Sequence, residues 1–210
     1  MAIETNMTRE FDTRRFDALA GLVRQRRTSK LVDPHCGVTE DVLRSLCDLA
    51  QWAPNHKRTW PWRFAAFVGD GRARLGAALI TDMAATSGKQ SSNSATDDYR
   101  DNNKRAALLT KYLRTPAVLV IGSTAGANPL ADVENRDAVA AGIQNVLLGA
   151  TALGLAASWG SPPFAVAPAT TQLCGFEPDV RLVTMLSLGW AAASPDVPAR
   201  PPVRLTIVEA

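Results

Sequence analysis

The segment from Arg136 to Leu153 limits what this 210-residue chain can fold into more than any other part of it. Its apolar residues recur at helical spacing, and its body, residues 139–152, is apolar almost all round and rich in glycine and alanine. A helix without a polar face is buried on every side, and Gly142 and Gly149 would let a second helix approach closely. We therefore expect this helix at the centre of a domain or of a dimer, with hydrogen-bond partners for its two amide side chains.

Composition narrows the class of protein. Apolar residues make up 46% of the chain, enough for a sizeable core, and a net charge of +3 is too small to argue for nucleic acid. No stretch is long enough to span a membrane, and the N-terminus lacks the apolar run of a signal peptide. Cys36, Cys47 and Cys174 are few and scattered, so we expect a reducing cytoplasm, no disulfide framework and no metal site.

Helices and strands interleave along the chain without an internal repeat. Helical spacing predicts a first helix that ends near Gln25 and a second helix capped by Thr39. Apolar runs predict core strands at residues 64–68, 117–121, 155–159 and 182–188. This order of elements predicts an α+β or α/β sandwich built on one central sheet.

The remaining segments set the domain organisation. We expect residues 1–13 to form a flexible leader, 14–192 the folded domain and 193–210 a C-terminal arm. The polar stretch 86–98 holds nothing that can be buried, so we expect a mobile loop there, either a lid or a surface insertion. Residues 203–208 alternate like an edge strand, and a long terminal arm of this kind often lies on a partner subunit.

Several familiar catalytic and nucleotide-binding motifs do not occur in the sequence. No G-x-G-x-x-G follows the first strand, so a Rossmann dinucleotide site is unsupported. The sequence also has no P-loop, no G-x-S-x-G and no H-E-x-x-H. His35 and His56 stand alone and make neither a metal site nor a catalytic triad.

The loop between Ala50 and Phe64 concentrates unusual side chains. It holds three tryptophans, two prolines, His56 and three cations within fifteen positions. Its two prolines restrict the backbone, so the loop is expected to be stiff, aromatic and cationic. A flat anionic ligand would suit such a surface. The alternative is that the tryptophans simply cover the core.

A second candidate site is the charge run at the end of the first helix. Arg24, Arg26, Arg27 and Lys30 place four cations within seven residues. One interpretation is a solvated run at a helix C-terminus, where cations are favoured. The other is a phosphate clamp, in which the guanidinium groups bind bidentately, the Thr28 hydroxyl donates and Lys30 adds a point charge.

Five segments together resemble the nitroreductase family of FMN-dependent oxidoreductases, in particular its small members. They are R-R-T at 26–28, A-P-N-H-K at 53–57 with P-W-R-F at 61–64, the helix A-G-I-Q-N-V-L-L-G-A-T-A-L-G-L at 141–155, S-W-G-S at 158–161 and, more weakly, L-S-L-G-W at 186–190. No single segment is specific, but their order and separations match over residues 14–192.

The resemblance implies an α+β fold, a three-layer α-β-α sandwich with one central, mainly antiparallel sheet. It also implies an interlocked homodimer with two FMN molecules at the subunit interface. In such proteins the R-R-[ST] segment holds the FMN phosphate, the A-P-x-H-K loop reaches the flavin of the partner subunit, and the W-x-S turn touches the flavin. The FMN-binding residues carried over to this chain are Arg26, Arg27, Thr28, Lys30, His56, Trp60, Trp159, Gly160 and Ser161.

Two positions depart from the family pattern. Relatives tend to carry an amide side chain where this chain has Trp60, and tryptophan can only stack or donate one N–H. They also tend to carry arginine where this chain has Gly160, so a cation near the phosphate is lost. The backbone N–H groups of Gly160 and Ser161 would compensate in part.

The resemblance implies a ping-pong reaction in which NAD(P)H passes a hydride to flavin N5 and a nitroaromatic, quinone or related acceptor then takes its place. The sequence assigns no catalytic residue, because the cofactor carries the redox chemistry. An alternative is a non-catalytic FMN-binding protein for storage or sensing, with Trp60 covering the ring face. A third possibility is an enzyme for a dedicated metabolite whose pocket the polar stretch 86–98 helps to shape.

Overall fold

The structure, a computed structural model, describes residues 13–87, 95–163 and 167–208. In chain order its main elements are α1 (Thr13–Gln25), α2 (Glu40–Ala50), β1 (Trp62–Val68), α3 (Gly71–Ser87), α4 (Ala95–Lys111), β2 (Ala117–Ser123), α5 (Pro129–Ala152), β3 (Leu155–Gly160), α6 (Pro168–Leu173) and β4 (Arg181–Trp190). Short 3-10 turns cover His56–Arg58 and Tyr112–Arg114. Apart from Thr13, which opens α1, the expected leader lies outside the described residues.

The four strands form one antiparallel sheet in the order β1-β2-β4-β3. Strand β2 is buried along its whole length because it pairs with β1 on one side and β4 on the other. An apolar, β-branched run is what a central strand requires. The predicted antiparallel sheet is therefore confirmed, and β1 and β3 are its two outer strands.

The two faces of the sheet carry separate apolar layers. On one face, Leu119 and Ile121 of β2 pack with residues of α2 and α5. On the other face, Val118 and Val120 pack with residues of α3 and α4. Because side chains alternate along a strand, β2 supplies both layers at once. The expected three-layer α-β-α sandwich is confirmed.

Helix α5 begins at Pro129, several residues before the predicted start, with Asn128 as its N-cap. Its close approach to α2 depends on Gly142, where a Cβ would lie 2.8 Å from the backbone oxygen of Ala50. The amide of Asn145 donates to the backbone oxygen of Leu49 at 3.1 Å, whereas Gln144 is exposed. In one chain the helix is therefore not buried all round, and its place at the centre of a dimer stays a prediction.

Two local predictions are wrong. Residues 86 and 87 end α3 and residues 95–98 begin α4, so the predicted polar loop 86–98 shrinks to residues 88–94, which lie outside the described residues. Polarity alone did not stop the helices, because a helix needs only one apolar side and its ends can be polar. Residues 203–208 form no strand with any described part of the chain, and their side chains are exposed.

Apolar side chains also lie exposed on α1, where Phe16, Leu19 and Val23 face outward, and along the arm at Val203 and Leu205. Within the described ranges, none of the helices combines the length and the apolar composition that crossing a membrane requires.

Candidate functional site

The charge run lies along the outer edge of β3. The backbone N–H of Ser29 donates to the backbone oxygen of Ala157 at 3.0 Å, and Thr28 and Ala157 form a parallel bridge. Beyond Lys30 the chain turns to the end of β4, where the backbone N–H of Asp33 donates to the backbone oxygen of Trp190 at 2.9 Å. The structure thus brings the charge run to β3 at Ala157, two residues before Trp159.

The side chains of the charge run separate into two groups. Thr28 and Lys30 are exposed while Ser29 between them is buried, as expected where an extended chain alternates its side chains. Arg27 instead lines a cavity of about 300 Å³ beside the start of β3 and the chain after β4. Its Nη1 donates to the backbone oxygen of Arg26 at 2.7 Å, and its buried Nε has no hydrogen-bond partner among the described residues.

Lys111, at the end of α4, adds a cation that sequence reasoning missed. Its Nζ lies 5.0 Å from the centre of the Tyr112 ring. Burial lowers the pKa of Lys111, and the nearby charge of Lys30 lowers that pKa further. No carboxylate within the described ranges forms a salt bridge with either lysine. Two ammonium groups that repel each other and lack an acid would be stabilised by an anion.

Lys111 is connected to the turn at Gly160 through the core. The hydroxyl of Tyr112 donates to Sδ of Met185 at 3.1 Å, and Met185 lies opposite Gly160 in the sheet. A Cβ at Gly160 would lie 3.1 Å from the backbone oxygen of Met185, so a larger residue would crowd the strand. The position that lacks the family's arginine is therefore tightly packed, and Lys111 supplies a cation on the same side of the sheet. The lysine carried no sequence signal beyond its place at the end of a helix.

The tryptophans of the Ala50–Phe64 loop have different roles. Trp62 is buried in the core, whereas Trp52 is 79% exposed and Trp60 is 54% exposed. The Trp60 ring lies 6.1 Å from that of Trp62, tilted by 51°. Covering the core therefore explains only Trp62, and Trp60 remains available to a ligand or a partner.

The loop backbone is strained. Lys57, Arg58 and Trp60 have φ angles of 57°, 53° and 50°, in the left-handed region that glycine favours. Each such residue costs on the order of 1–2 kcal/mol. His56 lies in the same turn, and its Nδ1 is 2.9 Å from Oε1 of Glu134 on α5.

A chain of side-chain hydrogen bonds, which we call the amide chain, connects the loop to α5. Asn55 Nδ2 donates to Thr59 Oγ1 at 3.0 Å, and Thr59 Oγ1 donates to Asn135 Oδ1 at 2.6 Å. Asn135 Nδ2 in turn donates to the backbone oxygen of Thr124 at 3.3 Å. Asn135 is only 3% exposed, so its polar groups depend on these partners.

Both backbone polar groups of Trp60 are hydrogen bonded. Its backbone N–H donates to Asn55 Oδ1 at 2.9 Å, and its backbone oxygen accepts from Arg63 Nη1 at 3.2 Å. Glu177 fixes the Arg63 guanidinium by accepting from Nε and Nη2, and this pairing lowers the pKa of Glu177. The backbone of Trp60 is thus held by hydrogen bonds on either side of its side chain.

The two candidate regions lie at opposite edges of the sheet. The first residue of β1 follows the loop, whereas the charge run borders β3, three strands away. Three strand spacings amount to about 14 Å. Within one chain the structure therefore does not bring His56 and Trp60 together with Thr28, Lys30 and the turn at residues 159–161.

Comparison with known proteins shows which family model the chain matches. Residues 23–190 match the family model described as the nitroreductase family. The chain is 27% identical over 187 residues to YfhC of Bacillus subtilis (strain 168), named "Putative NAD(P)H nitroreductase", and the match covers 89% of this chain and 91% of YfhC.

Solved structures of the same fold agree. A nitroreductase-like family protein from Bacillus cereus has a TM-score of 0.72 and 25% identity, with both chains fully covered. The FMN-dependent nitroreductase NfnB from Mycobacterium smegmatis, solved in complex with NADPH, has a TM-score of 0.67 and 20% identity, covering 91% of this chain and 99% of NfnB. Because the family model spans most of the sequence and the fold agrees with it, the chain belongs to the nitroreductase family.

Proposed function

We propose that this protein is an FMN-dependent oxidoreductase that carries electrons from NAD(P)H to a nitroaromatic, a quinone or a related acceptor. The observation that carries the proposal is the pair of neighbouring lysines, Lys30 and Lys111, which have no carboxylate partner among the described residues and lie where the charge run borders β3. Family membership and the FMN and NADPH named for NfnB support it.

The residues present fit FMN. A phosphate needs cations and hydrogen-bond donors that no acid already occupies, and Arg26, Thr28, Lys30 and Lys111 supply both kinds of group. An isoalloxazine ring needs an aromatic or apolar surface, which Trp159 offers at the end of β3. Arg27 stays a proposed contact of the phosphate, although its side chain lines a neighbouring cavity; its unpaired Nε is a donor that a ligand would satisfy.

The same geometry supports a homodimer. His56 and Trp60 lie about three strand spacings, on the order of 14 Å, from the charge run of their own chain. They complete one site only if a second copy supplies them, as the resemblance implies. The exposed apolar residues of α1 and of the C-terminal arm are surfaces that such a copy would cover.

When bound, FMN supplies the redox chemistry, accepting a hydride from NAD(P)H and giving electrons to the acceptor in alternate half-reactions. The work of this chain is to bind and orient. Lys30 and Lys111 would neutralise the anionic cofactor, and Gly160 and Ser161 would offer backbone N–H groups. Trp60, held from both sides, would border the open face of the ring and limit what can stack there.

A visible absorption spectrum of the purified protein tests the proposal. We expect a yellow dimer that retains or takes up FMN and oxidises NAD(P)H when a quinone or a nitroarene is added. A colourless monomer that takes up no FMN would contradict it.

A second candidate is a non-catalytic FMN-binding protein, which the exposed and rigidly held Trp60 favours, because a tryptophan over the ring would exclude both substrates. Anaerobic addition of NAD(P)H separates the two functions. Bleaching of the flavin supports the enzyme, whereas bound FMN that does not bleach supports the binder. If Trp60 blocks access, Trp60→Gln should restore bleaching.

A further inference from the structure

The loop from Asn55 to Pro61 keeps a strained backbone on an exposed surface. Lys57, Arg58 and Trp60 all have positive φ, which is uncommon for residues with a side chain and most unusual for a bulky one. The loop covers little of the core, since His56, Lys57 and Trp60 are exposed. Strain of this kind persists only where neighbouring groups enforce it, and it collects at functional sites.

Hydrogen bonds enforce the strain by closing a ring around the loop. The amide chain runs from Asn55 through Thr59 to Asn135 and on to the backbone oxygen of Thr124. The N–H of Thr124 returns to the loop by donating to the backbone oxygen of Pro61 at 2.9 Å. The ring thus starts and ends within the loop and passes through α5 and the end of β2.

Thr59 is the link at which the ring crosses from the loop to α5. Its hydroxyl accepts from Asn55 and donates to Asn135, so both of its hydrogen-bonding roles are used. Asn55 meanwhile uses Oδ1 to hold the backbone N–H of Trp60. Moving Thr59 would therefore release both the buried amide of Asn135 and the side chain that fixes Trp60.

We propose that Asn55, Thr59 and Asn135 are positioning residues that hold Trp60 and His56 in the flavin-contacting conformation before the cofactor arrives. This role rests on the proposed FMN-dependent function. A loop already in its binding conformation loses less freedom when the ligand binds, so the cofactor is held more tightly. The residues act through the loop and need not touch the flavin themselves.

The variants Thr59→Val and Thr59→Ser in the full-length protein separate the hydroxyl from the shape of the side chain. Valine keeps the shape and removes both hydrogen bonds, whereas serine keeps the hydroxyl. In the FMN-free protein we expect Thr59→Val to be cut by trypsin after Lys57 and Arg58 about tenfold faster than wild type, as a held loop opens. We expect its FMN dissociation constant to rise about tenfold as well, with Thr59→Ser close to wild type in both.

Asn55→Ala provides a second, independent break in the ring, and it should reproduce the Thr59→Val results and shift tryptophan emission as Trp60 is released. The melting temperature of each variant reports whether the fold is intact. If wild type binds FMN and Thr59→Val binds it equally tightly with the same trypsin resistance, the positioning role is wrong and the proposed function stands. If wild type takes up no FMN, the proposed function fails and the role in flavin contact fails with it.

Discussion

The two edges of the sheet differ in how their polar side chains are paired. At the β3 edge, Lys30 and Lys111 lie near each other without a carboxylate partner in the described part of the chain, and their repulsion is unrelieved. At the β1 edge, the Asn55–Pro61 loop is more strained, yet its polar side chains are paired with one another and with α5. An anionic ligand would relieve the repulsion in the first region, whereas the second is already held in shape by its own hydrogen bonds.

That difference assigns affinity for an anion to one edge and selectivity for the shape of a ligand to the other. Unpaired cations give affinity for an anion but accept many anions, because a point charge has little directional preference. A loop fixed by hydrogen bonds adds little charge but defines which shapes can lie against it. If a dimer joins one edge of each kind at every site, affinity and selectivity come from different residues and can be altered independently.

The largest effect should come from removing the two neighbouring lysines at the β3 edge. The double variant Lys30→Ala/Lys111→Ala should weaken FMN binding about 100-fold, since two charge-assisted contacts are lost. Fluorescence titration of FMN into the apo-protein measures it. Lys104→Ala, an exposed lysine on the same helix, is the matched control and should bind like wild type. Equal affinity in the double variant would mean that the phosphate lies elsewhere.

Removing a polar side chain should lower the free energy of unfolding at the β1 edge but not at the β3 edge. Asn135→Ala removes a buried partner of the amide chain and should lower the free energy of unfolding of the apo-protein by about 2 kcal/mol. Lys111→Met keeps an apolar stem and removes a charge that the neighbouring Lys30 repels, so it should leave stability unchanged or raise it slightly. Denaturant melts of both variants, without FMN, test the contrast. A Lys111→Met loss as large as that of Asn135→Ala would contradict it.

Much of the β3 edge was predictable because its signals are local. The cations follow one another in sequence, and apolar runs identified β2, β3 and β4. Lys111 was missed because it comes from a helix distant in sequence from the charge run, and its place at the end of that helix is no signal of a ligand.

The β1 edge was predictable only in outline. The prolines and tryptophans indicated a stiff loop, but its shape depends on a hydrogen bond between Thr59 and Asn135, residues far apart in sequence. Asn135 lies one residue before Arg136, where the sequence predicts that the helix begins, so the sequence offers no partner for the loop. Tryptophan is also a poor candidate for a positive φ, and nothing local indicates that Trp60 adopts one.

The smallest effect concerns Arg63, which donates to the backbone oxygen of Trp60 and is itself held by Glu177. Arg63 lowers the pKa of Glu177 below its ordinary value of 4.5, so the charged carboxylate is the form that the fold favours. Its contribution is therefore complete above that value and is lost as the pH falls through the lowered pKa. Glu177→Gln should remove this acid-dependent step and leave FMN affinity nearly unchanged, because Asn55 still holds the Trp60 N–H.

Tryptophan emission followed during acid titration measures the step as the difference between wild type and Glu177→Gln. Glu40→Gln is the control, because Glu40 pairs with Arg44 on the exposed face of α2, away from the loop. A step that survives in Glu177→Gln, or disappears in Glu40→Gln, would place the acid-sensitive group elsewhere. A clear loss of FMN affinity in Glu177→Gln would instead show that the loop depends on Arg63 as much as on the amide chain, and that its shape has two supports rather than one.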